Sequence, residues 1–130
     1  MNPTRSRRSK TIYIAGPMRG REGWNHDSFN NRAEKLKESG WNVVNPAELD
    51  GTNSEDPHDF NPSTNLDQQD ALRTILLRDL THICEECGAI YMLDGWNDSH
   101  GARTEWSLAK ALGMKIYYET PMPYHESHTN

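Results

Sequence analysis

A chain of 130 residues with 34% hydrophobic content and a net charge of −5 has the size of one compact domain. No run approaches the ~18 apolar residues of a membrane helix, and two cysteines, Cys84 and Cys87, are too few for a secreted disulfide framework, so a cytoplasmic protein is expected. The first ten residues carry Arg5, Arg7, Arg8 and Lys10; the other 120 hold 10 basic and 19 acidic side chains, a body too acidic for broad nucleic-acid binding.

In chain order, residues 1–10 read as a basic, disordered tail. Residues 11–15 are a β-rich run ended by Gly16-Pro17. Residues 27–39 predict a helix with Phe29, Ala33 and Leu36 on one face and Gly40 as the stop. The stretch WNVVNP is a short strand closed by Pro46, and residues 47–65, rich in Asn, Asp, Ser, Pro and Gly, read as a long loop, either a lid or disordered. Residues 66–83 predict a helix, GAIYMLDG a buried strand, residues 100–112 a helix and KIYYE a last strand, with residues 120–130 as a tail. Strands alternating with helices imply parallel βαβ units. The expectation is one α/β domain over residues 11–119, a small doubly wound parallel sheet with helices on both faces, Rossmann-like or flavodoxin-like.

Such sheets bind ligands beyond the carboxyl ends of their strands. The loop after the first strand holds GPMRGREGWN, where Gly16 and Gly20 permit close backbone approach and Arg19 and Arg21 either grip an anion or are simply solvated. The loop after the third strand, DGWNDSHGA, brings Ser99 and the free amides near Gly101 to a helix N-terminus, a seat for an anion and a cap at once. Trp24 and Trp96 either stack on a base or pack.

Two helices carry an acid where an apolar residue belongs. Glu105 lies on the stripe of Leu108, Ala109 and Leu112, and Asp79 on that of Leu72, Ile75, Leu76, Leu80 and Ile83. Buried acids are costly, so they mark a site unless an arginine such as Arg78 or Arg103 pairs with them. Cys84-x-x-Cys87, with His82 nearby, reads as ordinary thiols rather than a redox pair or half a zinc site, and no metal or cofactor is expected.

Taken together, KTIYIAGPMRG, NPAELD, RDL, AIYMLDGW, SHGARTEWSLAKALG and KIYYE resemble the nucleoside 2-deoxyribosyltransferase-like family, above all its short phage and bacterial members with the GPMRG motif. The likeness spans residues 10–119 and extends to N-glycosidases acting on (deoxy)nucleoside 5′-monophosphates. It implies that Glu105 is the nucleophile forming a glycosyl-enzyme ester. It implies that the Tyr13 hydroxyl holds Glu105 in place, and that Asp79 helps the base depart by giving a proton or hydrogen-bonding it. The position six residues before the nucleophile is often aspartate in transferases acting on free nucleosides and serine in nucleotide hydrolases. Ser99, with Arg19 and Arg21, therefore points to a 5′-monophosphate and to hydrolysis. Base exchange by a transferase and a non-catalytic nucleotide-binding module remain the alternatives. The resemblance also implies a homodimer or higher homo-oligomer, because family sites are often completed by a neighbour's C-terminal residue; Ser127, His128, Thr129 and Asn130 are the candidates.

Overall fold

The computed structural model describes residues 3–50 and 61–121 of the chain. Four strands, β1 (Thr11–Ala15), β2 (Asn42–Val44), β3 (Ala89–Met92) and β4 (Lys115–Tyr118), form one sheet in the order β2-β1-β3-β4. Every pairing is parallel, with Tyr13 opposite Val44 on one side and Ile90 on the other. Five helices surround it: α1 (Pro3–Arg8), α2 (His26–Glu38), α3 (Pro46–Asp50), α4 (Leu66–Glu86) and α5 (His100–Leu112). The expected α/β architecture is the one observed.

Alternation along β1 sorts the core into two layers. Ile12 and Ile14 point to one face, where Phe29, Ala33 and Leu36 of α2 cover them together with Ala47 of α3. Tyr13 and Ala15 point to the other face, under Ile83 of α4 and Ala102 and Ala109 of α5. The chain leaves β1 through α2 to reach β2, then crosses back along α4 to β3, so the winding reverses between β1 and β3. Right-handed crossovers in opposite directions put their helices on opposite faces, and this reversal opens the crevice at the carboxyl ends of β1 and β3.

Three expectations are corrected. Residues 3–8 are helical rather than a disordered tail, and this helix docks on the amino edge of the sheet. Arg8 Nε donates to the Glu85 carbonyl oxygen at the end of α4 (3.2 Å), and the Thr11 hydroxyl donates to the Arg7 carbonyl oxygen (2.9 Å). Cationic side chains beside a helix C-terminus meet the negative end of its dipole, which gives a basic segment a reason to order. The long loop of residues 47–65 begins as α3, capped by the Asn45 side chain, which accepts from Ala47 N (3.0 Å); its residues 51–60 lie outside the described residues.

The third correction concerns the apolar stripes. On α4 only Asp79 and Ile83 are buried, Ile75 is exposed, and on α5 Leu112 is exposed as well. The cause is length. A helix of 21 residues runs ~31 Å at 1.5 Å per residue, whereas strands of three to five residues span only ~10–17 Å. The N-terminal half of α4 therefore overshoots the sheet. No helix among the described residues is long and apolar enough to cross a membrane.

Candidate functional site

The carboxylates that interrupt the two stripes meet at one tyrosine. Tyr13 sits fully buried in the middle of β1, facing α4 and α5, and Glu105 and Asp79 come down from those helices with only 7% and 5% of their surface exposed. The Tyr13 hydroxyl donates to Glu105 Oε2 at 2.7 Å. Burial pushes the Tyr13 phenol well above its usual value of 10, and the negative charges of Glu105 and then Asp79 push it further. At neutral pH Tyr13 is thus a fixed, neutral donor between two carboxylates.

Asp79 has a partner that stabilises it. Arg78 Nε and Nη2 each lie 2.8 Å from Asp79 Oδ1, and the arginine is itself partly exposed. The pairing with Arg78 weighed from the sequence is therefore present, and it coexists with the approach of Asp79 to Tyr13. A guanidinium fork on a carboxylate offsets much of the cost of burying it.

The first turn of α5 orients Glu105. Ser99 is the N-cap, its hydroxyl accepting from Ala102 N at 3.2 Å, and Gly101 in the first turn has open space where a side chain would be. Six residues of helical rise place Ser99 ~9 Å from Glu105 along the axis. The first amides of the helix point away from its body, toward the crevice side.

The loops after β1 and β3 touch each other. A Cβ on Gly16 would stand 2.8 Å from Leu93 Cβ, so Gly16 serves the close approach of these loops. Gly95, at φ +87°, leaves room for the Arg21 guanidinium, which an added Cβ would meet at 2.5 Å. Arg21 is thereby held against the loop that leads into Ser99. Arg19 is exposed, and Gly20 takes a left-handed turn (φ +79°) with open space around it. Trp96 is packed rather than open: it stacks on Trp106 with centroids 5.4 Å apart and leans on Tyr118 at 6.0 Å, while Trp106 Nε1 donates to the Tyr118 hydroxyl.

Two features here were not legible in the sequence as site features. One is Arg78, which sequence reasoning took only as a possible neutraliser. The other is a left-handed turn of three consecutive residues, Gly23, Trp24 and Asn25, all with φ between 57° and 61°. The Asn25 amide donates to the Pro17 carbonyl oxygen (2.8 Å) and so ties the turn to the end of β1. Trp24 bears the strain, since a bulky side chain is rarely left-handed, and its indole N–H is buried without a hydrogen-bond partner.

Elsewhere the side chains are quieter. Burial raises the Cys87 thiol to about 12, whereas Cys84 is exposed, so the two do not behave as a matched redox pair. No three His, Cys, Asp or Glu side chains among the described residues come together to hold a metal ion. Two open clefts, ≈ 360 and ≈ 400 Å³, flank α1 at the amino edge, and neither is lined by Tyr13, Asp79 or Glu105. The candidates Ser127, His128, Thr129 and Asn130 lie outside the described residues.

Residues 10–118 match a family model described as a domain of unknown function, DUF4406. No curated protein and no solved structure matches the chain.

Proposed function

The chain belongs to the DUF4406 family, and we propose that it cleaves the N-glycosidic bond of a (2′-deoxy)nucleoside 5′-monophosphate by double displacement on Glu105. The observation that carries this reading is the Tyr13 hydroxyl donating to the buried Glu105 carboxylate, with Asp79 acting on the same hydroxyl. Two carboxylates served by one hydroxyl are close neighbours. Close spacing suits a nucleophile with a separate assisting group, whereas inversion needs room for a water between them.

In the first step Glu105 attacks the anomeric carbon and forms an ester bond to it. The C1′–N bond breaks, its electron pair leaves with the base, and the base takes up a proton. Water then attacks the same carbon, releasing sugar 5-phosphate and restoring the carboxylate. Positive charge developing on the sugar is stabilised by Glu105. Tyr13 holds Glu105 in place and stays protonated throughout. Asp79, ion-paired to Arg78, is better suited to accept a hydrogen bond from the base than to supply the proton. The phosphate is assigned to the N-terminus of α5, at Ser99 and the amide of Gly101, with Arg21 and Arg19 as the cations nearest in the chain to that crevice.

Incubation with a panel of nucleoside and deoxynucleoside monophosphates, followed by chromatography, tests the reading. Release of free base and sugar phosphate is expected. Accumulation of a swapped nucleotide when a second base is in excess would assign base exchange instead. Tight binding with no turnover of any member would assign a nucleotide-binding module.

A further inference from the structure

The overshooting half of α4 presents a stripe that nothing in the chain covers. Leu66 is 74% exposed and Leu77 70%, with Asp70 and Arg73 exposed between them. These four residues fall at i, i+4, i+7 and i+11, the spacing of a single helical seam. That seam points away from Asp79 and Ile83, the two buried residues of the same helix. The helix is fixed from its first residue, because the Asn65 side chain caps it by accepting from Gln68 N at 3.0 Å. Leu66 is thus a helical residue held in solvent, not a frayed end.

The order of the four residues says what fits there. Leu66-Asp70-Arg73-Leu77 reads as its own charge complement when reversed: inversion about the point between residues 71 and 72 exchanges Leu66 with Leu77 and Asp70 with Arg73. We propose that a second copy of this chain packs on the outer face of α4, antiparallel across a twofold axis, with Leu66 of each copy on Leu77 of the other and Asp70 of each facing Arg73 of the other. A parallel pairing would set Asp70 against Asp70 and Arg73 against Arg73. Closure by a twofold axis also explains why one short stripe suffices, since every contact is made twice. Arg73 at present donates to Gln69 Oε1 within its own helix (2.9 Å), and this exposed bond leaves its second face for a carboxylate across the seam. The pairing does not depend on the proposed reaction, because the seam lies on the side of α4 opposite Asp79.

Light scattering on the full chain, combined with charge reversal, tests this. The wild type should have twice the 14.9 kDa chain mass. Leu77→Asp should be monomeric. Asp70→Arg alone and Arg73→Asp alone should each weaken association at least tenfold, since either sets two like-charged contacts across the axis. The double variant D70R/R73D should recover dimerisation, because it restores both contacts with opposite sense. Far-UV circular dichroism checks that α4 persists; should Leu77→Asp lose helix, the charge-reversal pair still decides. A wild type monomeric at about 100 μM, a double reversal no better than the single ones, or binding to lipid vesicles by a monomer would each overturn the proposal.

Discussion

The two faces of the sheet are built from the same strand and could hardly differ more. On one side Ile12 and Ile14 meet Phe29, Ala33 and Leu36, an apolar layer with no ionisable group in its core. On the other side, one residue along, Tyr13 meets two carboxylates. A chain this small has little apolar burial to spare, so buried charge on a single face is not a packing accident. The apolar face provides the stability that lets the other face keep polar groups out of water. Stability and chemistry are thus divided between alternate residues of β1, and substitutions on the two sides should fail in different ways.

The sharpest way to test that division is Glu105→Gln. It removes the charge and the nucleophile but keeps the shape, so base release should fall by at least about 10³-fold while the melting temperature holds or rises, because an uncharged side chain is cheaper to bury. Kinetics paired with thermal unfolding would read both; retention of more than a few per cent of the rate would remove Glu105 as nucleophile. Across the sheet, Phe29→Ala should do the reverse. A truncated, fully buried aromatic costs roughly 3–5 kcal/mol, measurable in urea. Turnover per folded molecule should be unchanged. If Phe29→Ala lowered the rate of the folded fraction, the two faces would be coupled and the division would fail.

Tyr13 stands on the boundary between these roles. Tyr13→Phe deletes a donor to a charged acceptor, worth roughly 1.5–3 kcal/mol, and should slow base release about 10- to 100-fold. It also carries a pH signature. In the folded chain the phenol ionises well above 10, while unfolded tyrosine ionises near 10. The unfolded state therefore loses its proton first, and the stability linked to this group is intact below pH 10 and is lost as pH rises past it. Stability measured between pH 9 and 11 should fall less steeply in Tyr13→Phe than in the wild type. Equal slopes would mean that the phenol is not buried against the carboxylates.

How much of this is readable from the chain depends on the range of the contacts. The strands, the α2 face and the acids at 79 and 105 are local patterns: each shows as alternation, or as a break in a 3.6-residue stripe. Tyr13 is different. As a residue of a buried strand it looks like any core aromatic, and only the resemblance singled it out. Residues 3–8 were misread because a cluster of arginines looks solvated until the carbonyl of Glu85, 77 residues away, is brought beside Arg8. Leu112 and Ile75 were misread because the stripe predicts which side of a helix is apolar, not how far the sheet beneath it extends. The left-handed Trp24 contradicts its own propensity, so no local rule anticipates it.

The smallest expected effect isolates the phosphate. Ser99 does two jobs in the proposed scheme, capping α5 and accommodating a 5′-phosphate, and the choice of substitution separates them. Ser99→Ala removes the hydroxyl that accepts from Ala102 N, which should cost about 1 kcal/mol of stability. Ser99→Asp keeps an equally good cap, so stability should stay within about 0.5 kcal/mol of the wild type. It also sets a negative charge where the phosphate is assigned. Like charges at a helix N-terminus compete for the same amides, and kcat/KM for nucleotides should drop by about tenfold, or 1.4 kcal/mol. Unphosphorylated nucleosides should be spared, because nothing in them meets the new charge. The informative quantity is the ratio of the two kcat/KM values, which cancels any general loss of active protein. A ratio unchanged by Ser99→Asp would move the phosphate away from α5, and the crevice would then have to hold the sugar by some other contact.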